Sequence, residues 1–145
     1  MDNSKGVEMK SEKIYLYTDG GSRGNPGQSA IGIVICNKDK QVLNTYKECI
    51  GHGTNNEAEY KALIKGLEIA AGYCRDEVVF FSDSELLIKQ LNGQYRINAK
   101  NLLELYYQIQ SHEKPFKKIT YNHHNRNHKF IQQCDSLVNQ ALDDK

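Results

Sequence analysis

The sequence lacks the patterns that mark several common protein classes. Its four cysteines are scattered along 145 residues without a Cys-x-x-Cys pair, which excludes the usual spacing of a structural zinc site. It shows no signal peptide and no long apolar run, so we expect a protein of the reducing cytoplasm with no membrane segment. The formal net charge is only +1, so bulk charge does not predict tight nucleic-acid binding, although local patches still allow it.

A glycine-rich segment at residues 17–27 organises the rest of the chain. Ile14 and Leu16 alternate with two tyrosines ahead of it, which predicts a buried strand that ends at Asp19. The glycines that follow would let the backbone approach a ligand closely. The segment lacks the Gly-Lys-Ser/Thr ending of a phosphate-binding P-loop. Asp19 alone therefore fits either a functional site or an acidic residue in a hairpin turn.

Hydrophobic periodicity predicts one α/β domain at residues 13–145, with the order β-β-β-α-β-α-α-β-α. Residues 1–12 are polar and aperiodic, so we expect a mostly disordered lead-in. The predicted strands end at or cover residues 14–19, 30–36, 41–50, 77–82 and 116–121, and the predicted helices cover 54–72, 84–91, 99–111 and 129–142. The first three strands are expected to form an antiparallel meander, and the later ones to pair in parallel through right-handed crossovers.

Two glutamates open the first predicted helix, and helix geometry separates their roles. Thr54 and Glu57 have the spacing of a capping box, so Glu57 is interpreted as structural. Glu59 lies about 200° around the helix from Glu57, on the side that packs against the sheet with Leu63, Gly66 and Ala70. A carboxylate on that side is costly unless it is compensated, which makes Glu59 a candidate ligand or a buried hydrogen-bonded group.

Two further aspartates follow apolar elements. Asp83 ends an apolar strand beside a helix start, where it could be a helix cap or part of a site at the carboxyl ends of the strands. Asp135 borders the apolar stripe of the last helix, where a solvated aspartate is the simpler interpretation. Four carboxylates without convergent cysteines or a paired histidine motif indicate magnesium or manganese, and two such ions suit phosphoryl displacement.

Taken in order, five short motifs resemble the ribonuclease HI family. They cover nearly all of the chain after Glu12: Thr-Asp-Gly-Gly-Ser at 18–22, Gly-Asn-Pro-Gly at 24–27, Thr-Asn-Asn-x-x-Glu at 54–59, Ser-Asp-Ser at 82–84 and Cys-Asp-Ser-Leu at 134–137. The resemblance implies a ribonuclease H-like fold, with a five-stranded mixed sheet of three antiparallel and two parallel strands flanked by helices. It also implies an enzyme that cuts the RNA strand of RNA–DNA hybrids and leaves 3′-hydroxyl and 5′-phosphate ends.

The same resemblance implies roles for individual residues. Asp19 would bridge two Mg²⁺ ions, which Mn²⁺ could replace, with Asp135 at the ion that activates water and Glu59 and Asp83 at the ion near the leaving oxygen. Short amides and hydroxyls at a helix start would read the minor groove, where 2′-hydroxyls distinguish RNA from DNA. The implied substrate-binding residues are Gly20, Gly21, Ser22, Gly24, Asn25, Thr54, Asn55, Asn56, Ser84 and Arg126.

The loop before the last helix departs from the family pattern. Many family members carry a histidine there, but Asn125 occupies the corresponding position, so His124 is the predicted catalytic histidine, with His123 and His128 as neighbours. A basic loop that contacts phosphate is the competing interpretation. No basic handle is present after the third carboxylate, as in archaeal and some bacterial members. The basic concentration at Lys114, Lys117, Lys118, Arg126 and Lys129 is interpreted as a phosphate-facing patch or a solvated surface.

Three alternatives stay open. Integrases, transposases and junction resolvases share this scaffold and cut DNA, although the Thr-Asn-Asn-x-x-Glu segment favours a hybrid nuclease. A non-catalytic hybrid-binding module is disfavoured because all four carboxylates are present. Cleavage of double-stranded RNA is a possible side activity. A monomer is expected.

Overall fold

The computed structural model describes residues 13–145, so the lead-in predicted for residues 1–12 lies outside the described residues. Five strands form one sheet in the order β3-β2-β1-β4-β5. Strands β1, β2 and β3 pair antiparallel, whereas β4 pairs parallel with β1, and β5 pairs parallel with β4. The predicted mixed sheet is confirmed. The strands are β1 (Lys13–Arg23), β2 (Gly27–Cys36), β3 (Val42–Gly53), β4 (Glu77–Ser82) and β5 (Lys118–His123).

Helices cover both faces of this sheet. The helices are α1 (Asn55–Ala70), α2 (Glu85–Leu91), α3 (Lys100–Glu113) and α4 (Lys129–Asp143). Ile14 and Leu16 of β1 join the core formed with α1 and α3, while Tyr17 joins the core beneath α4. Successive side chains of a strand point to opposite faces, so α1 and α4 lie on opposite sides of β1. Within the described residues, no helix combines the length and apolar character needed to span a membrane.

The first strand is longer than the sequence pattern predicted. We expected it to end at Asp19, but β1 continues antiparallel to β2 as far as Arg23, which pairs with Gln28. The turn is confined to residues 24–26, with a cis peptide bond before Pro26. The prediction failed because glycines suggested a loop. Gly20 and Gly21 instead lie within the strand, and the parallel pairing with β4 stops just before Asp19, at Tyr17.

The five basic residues predicted to form one phosphate-facing patch do not share a surface. Lys118 pairs with Glu77 at the start of β4, whereas Arg126 follows the end of β5 and lies near Asp83. The six residues of β5 separate these positions by about 17 Å. Lys114, Lys117 and Lys118 therefore lie at the opposite end of β5 from Arg126 and Lys129.

Candidate active site

Three carboxylates from separate elements meet at one point of the fold. Asp19 comes from β1, Glu59 from α1, and Asp83 from the junction between β4 and α2. Each offers an oxygen, and these oxygens all lie within 4.8 Å of one another. This is the convergence expected from the sequence for these three residues. Together they form one wall of a cleft that Asp135 also lines.

The approach of α1 to β1 depends on a glycine. A Cβ atom on Gly20 would lie 2.4 Å from the carbonyl carbon and oxygen of Ala58, and 2.7 Å from the backbone nitrogen of Glu59. Only a residue without a side chain fits there, because real Cβ atoms do not approach backbone so closely. The sequence suggested that Gly20 admits a ligand, whereas its position in the fold admits the first turn of α1. That contact brings Glu59 beside Asp19.

Glu59 is the most deeply buried member of the cluster. Its helix face is the one expected, since Leu63, Gly66 and Ala70 are all buried. Its Oε1 atom has no hydrogen-bond partner in the described part of the chain. Burial, followed by repulsion from Asp19 and Asp83, raises the pKa of Glu59 well above its usual range, against a lowering effect of the Gly20 N–H hydrogen bond. Such an uncompensated oxygen is suited to a cation.

Asp19 is similarly disfavoured as an anion. Burial and the neighbouring charges of Asp83 and Asp135 raise its pKa to about 8, although the Gly20 N–H hydrogen bond opposes the shift. A hydrogen bond with the Asp135 side chain adds to the increase. The cluster therefore holds protons near neutral pH when no cation compensates it. Hard oxygen donors in this arrangement fit Mg²⁺ or Mn²⁺.

The Asp83 side chain does not cap the helix that follows it, because another residue does. The Ser84 side chain accepts a hydrogen bond from the Leu87 N–H at 3.2 Å and is the N-cap of α2. The capping alternative for Asp83 is thus excluded. Asp83 instead lies 3.9 Å from Nε of Arg126, whose side chain is 85% exposed. The Ser84 hydroxyl oxygen accepts this capping bond, and its contact with substrate stays a prediction.

Asp135 reaches the cleft because α4 lies close against β2. A Cβ atom on Gly32 would come within 2.3 Å of the Cys134 carbonyl oxygen, and Gly32 is the residue that pairs with Asp19. Cys134 is fully buried, while Asp135 is exposed on the adjoining side of the helix. The structure therefore brings the fourth predicted carboxylate next to Asp19, in a more open position than the other three.

The start of α1 contains the expected capping box. Oγ1 of Thr54 accepts from the Glu57 N–H at 3.1 Å, and Oε1 of Glu57 accepts from the Thr54 N–H at 2.9 Å. Nδ2 of Asn101 donates to Oε2 of Glu57 at 2.8 Å, and this bond is the main reason that the pKa of Glu57 is lowered. Glu57 therefore has a structural role, as the sequence indicated.

Hydrogen bonds tie this helix start to the glycine hairpin. Oδ1 of Asn55 accepts from the Ser22 N–H at 2.8 Å and from Oγ of Ser22 at 3.1 Å. The Asn55 N–H donates to Oδ1 of Asn25 at 3.0 Å. Gly21, Ser22 and Asn55 line the cleft, and Asn56 is exposed beside them. Within the described residues, Nδ2 of Asn55 has no protein acceptor, so it can donate to a bound molecule.

The histidine loop packs its rings against one another and against β4. The His124 ring packs edge-on against Phe81 and His128, with centroid distances of 5.4 and 4.2 Å. His128 is the N-cap of α4, since its side chain accepts from the Phe130 N–H. Arg126 and its neighbour Asn127 line the cleft, whereas His124 is not among the lining residues. The catalytic role of His124 stays a prediction.

Sequence reasoning missed several polar residues of the cleft. Arg23 follows Asp19 and Gly21 at a spacing of two along β1, which places all three on one face of the strand. Asn139 follows Asp135 by four residues on α4, which places both on one face of the helix. Both spacings can be read from the sequence. They indicate residues of the cleft only when the end of β1 and the packing of α4 are known. Gln132 lines the cleft as well.

Comparison with known proteins places this fold and site in a family. A family model described as reverse transcriptase-like matches residues 17–141. Ribonuclease HI of Halobacterium salinarum is 36% identical over 132 residues, which cover 91% of this chain and 65% of that protein. The crystal structure of ribonuclease H1 from this archaeon superposes with a TM-score of 0.87 and covers 92% of this chain and 99% of that one. The chain belongs to the ribonuclease H family.

Two further relatives define how far the likeness extends along the chain. A bifunctional protein of Mycobacterium tuberculosis is 38% identical over 132 residues, which cover 90% of this chain. The chain spans only 36% of the length of that relative. The structure of LC11-RNase H1 in complex with an RNA/DNA hybrid matches with 35% identity and a TM-score of 0.83, covering 90% of this chain and 97% of that one. The family resemblance found in the sequence is confirmed.

Proposed function

We propose that this protein is an endoribonuclease that hydrolyses the RNA strand of RNA–DNA hybrids and leaves 3′-hydroxyl and 5′-phosphate ends. The observation that carries the proposal is the meeting of Asp19, Glu59 and Asp83, whose oxygens lie within 4.8 Å of one another in an open cleft. The homologous LC11-RNase H1 has been crystallised with an RNA/DNA hybrid, which supports the substrate class. The family relationship supports hydrolysis over binding alone.

The carboxylates are proposed to hold two Mg²⁺ ions, which Mn²⁺ could replace. The orphaned Oε1 of Glu59 and the mutual repulsion of the cluster favour cation binding. Bound divalent ions would supply a more acidic water and would offset the charge that develops on the phosphate. Asp19 neighbours Glu59, Asp83 and Asp135 and is proposed to serve both ions. Asp135 is proposed to stand on the side of the attacking water, where its exposure leaves room for solvent.

Discrimination of RNA from DNA is proposed to come from the junction of the hairpin and α1. The bonds that Asn55 accepts from Ser22 hold its amide in one orientation, which leaves Nδ2 of this exposed cleft residue to act as a donor. A 2′-hydroxyl accepts from such a donor, whereas deoxyribose offers no oxygen at that position. Gly20, Gly21, Gly24, Asn25, Thr54 and Asn56 are proposed to complete the contact with the two backbones, together with Ser84 and Arg126.

Double-stranded RNA is proposed as a secondary substrate, because it also presents 2′-hydroxyls in a shallow minor groove. We further propose that the protein acts as a monomer in the cytoplasm. The buried, unbridged thiols of Cys36 and Cys134 support a reducing compartment. Sedimentation at several concentrations tests the monomer.

The proposal is tested with four end-labelled substrates: RNA–DNA, RNA–RNA, DNA–DNA and single-stranded RNA. Each is incubated with Mg²⁺, with Mn²⁺ and with chelator, and the products are compared with size standards that carry 5′-phosphate or 3′-phosphate ends. We expect metal-dependent cleavage of the RNA strand in the hybrid, and loss of cleavage in Glu59→Gln. Binding without cleavage would contradict the proposal and indicate a hybrid-binding module. Cleavage of DNA–DNA would also contradict it and indicate a DNA nuclease related to resolvases and integrases.

A further inference from the structure

We propose that Arg23 binds a phosphate of the nucleic acid in the cleft, and that its ion pair with Asp143 opens when the nucleic acid enters. This inference rests on the proposed function and adds a residue to the substrate-binding surface. Arg23 is the last residue of β1, and its side chain lines the same cleft as Asp19. It is therefore a cation on the wall of a cleft that is proposed to take a polyanion.

The position of Arg23 separates it from the carboxylate cluster. Asp19, Gly21 and Arg23 alternate on one face of β1, so the Cα atom of Arg23 lies about 13 Å from that of Asp19 along the strand. With the Arg23 guanidinium directed to Asp143, we expect it to contact a different phosphate from the one held at the carboxylates. Arg126, near Asp83, is the other arginine that lines the cleft in the described part of the chain.

The present partners of Arg23 are weak enough to be exchanged. Nη1 lies 2.6 Å from Oδ1 of Asp143, and the two side chains are 50% and 65% exposed. Nη2 donates to the backbone oxygen and Oδ1 of Asn139 at 3.5 and 3.4 Å, near the long limit for a hydrogen bond. Exposed ion pairs contribute little to stability, and a guanidinium binds a phosphate with the same planar fork that it offers a carboxylate.

The partners of Arg23 on α4 belong to a row of polar side chains that includes the charge of Asp143. Asp135, Asn139 and Asp143 are spaced by four residues along one side of the helix. Nδ2 of Asn139 contacts Oδ2 of Asp135 at 3.5 Å. Without Arg23, Asp143 would present an unneutralised charge at the edge of the cleft and repel a phosphate. Arg23 therefore neutralises Asp143 in the free protein and exchanges it for phosphate in the complex.

The chain offers a matched ion pair outside the cleft. Nζ of Lys47 on β3 lies 3.5 Å from Oδ2 of Asp144, with exposures of 40% and 72%. Lys47 also donates to Oε1 of Gln140 at 3.2 Å. This pair joins another strand to the same helix end and does not line the cleft. Lys47→Gln therefore removes one positive charge of similar exposure without touching the proposed phosphate contact.

The experiment measures the dissociation constant of a labelled RNA–DNA hybrid in chelator over a range of salt concentrations, together with KM and kcat in Mg²⁺. For Arg23→Gln we expect binding about three- to tenfold weaker, a salt slope reduced by about one, and a higher KM with little change in kcat. For Asp143→Asn we expect binding at least as tight as that of the wild type. Lys47→Gln and Asp144→Asn should match the wild type, and melting temperatures check that each variant is folded.

A second measurement locates the phosphate. Single neutral methylphosphonate linkages are placed along each strand of the hybrid. The wild type should lose affinity at each linkage that the protein contacts, and at one of these, remote from the cleavage position, Arg23→Gln should show no further loss. The inference is overturned if the wild type binds the hybrid while Arg23→Gln keeps the Kd and salt slope of Lys47→Gln, or if Asp143→Asn weakens binding as much as Arg23→Gln. Failure of the wild type to bind or cut the hybrid would instead overturn the proposed function itself.

Discussion

The carbonyl group of Ala58 lies so close to Gly20 that a methyl group on Gly20 would sit 2.4 Å from its carbon and oxygen. This backbone contact between α1 and β1 sets the distance between Glu59 and Asp19. The spacing of these two carboxylates therefore depends on a residue that itself supplies no side chain.

Replacement of Gly20 by alanine tests this dependence. We expect Gly20→Ala to destabilise the fold by about 1–3 kcal/mol, because the backbone of α1 must move to relieve the overlap. We also expect activity to fall by about a hundredfold, because a displacement of about 1 Å at Glu59 disrupts the catalytic geometry. Denaturant unfolding and hybrid cleavage rates measure the two effects. Gly72→Ala is the control, since its nearest contact, Ile69 O at 3.4 Å, is an ordinary one, and its stability should stay near that of the wild type.

The raised pKa of Asp19, about 8, predicts the pH dependence of the metal-free protein. The unfolded chain loses this proton near pH 4, so between about pH 4 and 8 the folded state binds more protons, and stability falls as pH rises. We expect Asp19→Asn to abolish cleavage, to flatten this decline and to raise the free energy of unfolding at pH 8 by about 1–3 kcal/mol. Thermal unfolding in chelator across this pH range measures it. A wild-type stability that rises with pH over the window would contradict the prediction.

Cation binding should displace the protons held by the cluster. Only ionised carboxylates bind the metal, so titration with Mg²⁺ near pH 7 should release protons from Asp19 and Glu59. Calorimetry in two buffers of different ionisation enthalpy should give different apparent heats, and the melting temperature should rise with Mg²⁺ concentration. Glu59→Gln should reduce both responses. Identical heats in the two buffers would show that the cluster is already ionised.

The two glutamates at the start of α1 should separate stability from activity. Glu57→Ala removes the reciprocal cap and the Asn101 contact, so we expect a loss of about 0.5–2 kcal/mol in stability and little change in cleavage rate. Glu59→Gln should keep the fold and lose metal-dependent cleavage. Denaturant unfolding curves and cleavage rates of both variants, measured under the same conditions, test this expectation. The helical-face assignment would be wrong if Glu57→Ala were inactive and Glu59→Gln were active.

Much of the site could be predicted because helix periodicity is local. The separation of Glu57 from Glu59 follows from about 100° of rotation per residue, and the capping box follows from a spacing of three. The end of β1 could not be predicted in this way, because glycine usually weakens strands and here is retained for a contact with α1. Likewise, the sequence left Asp83 either as a helix cap or as part of the site, and the hydrogen bond from the Leu87 N–H to Ser84 assigns the cap to Ser84 instead.

The sequence by itself determined the class of fold, the four carboxylates and the family, because these depend on periodicity and on the order of short motifs. The tertiary structure decided which groups share the cleft. Arg23 and Asp143 are far apart in the chain, and only the seating of α4 against the sheet, with Gly32 against the Cys134 carbonyl, brings them together. Distances across packed elements are set by side-chain volume and backbone contact, which no single segment of sequence contains.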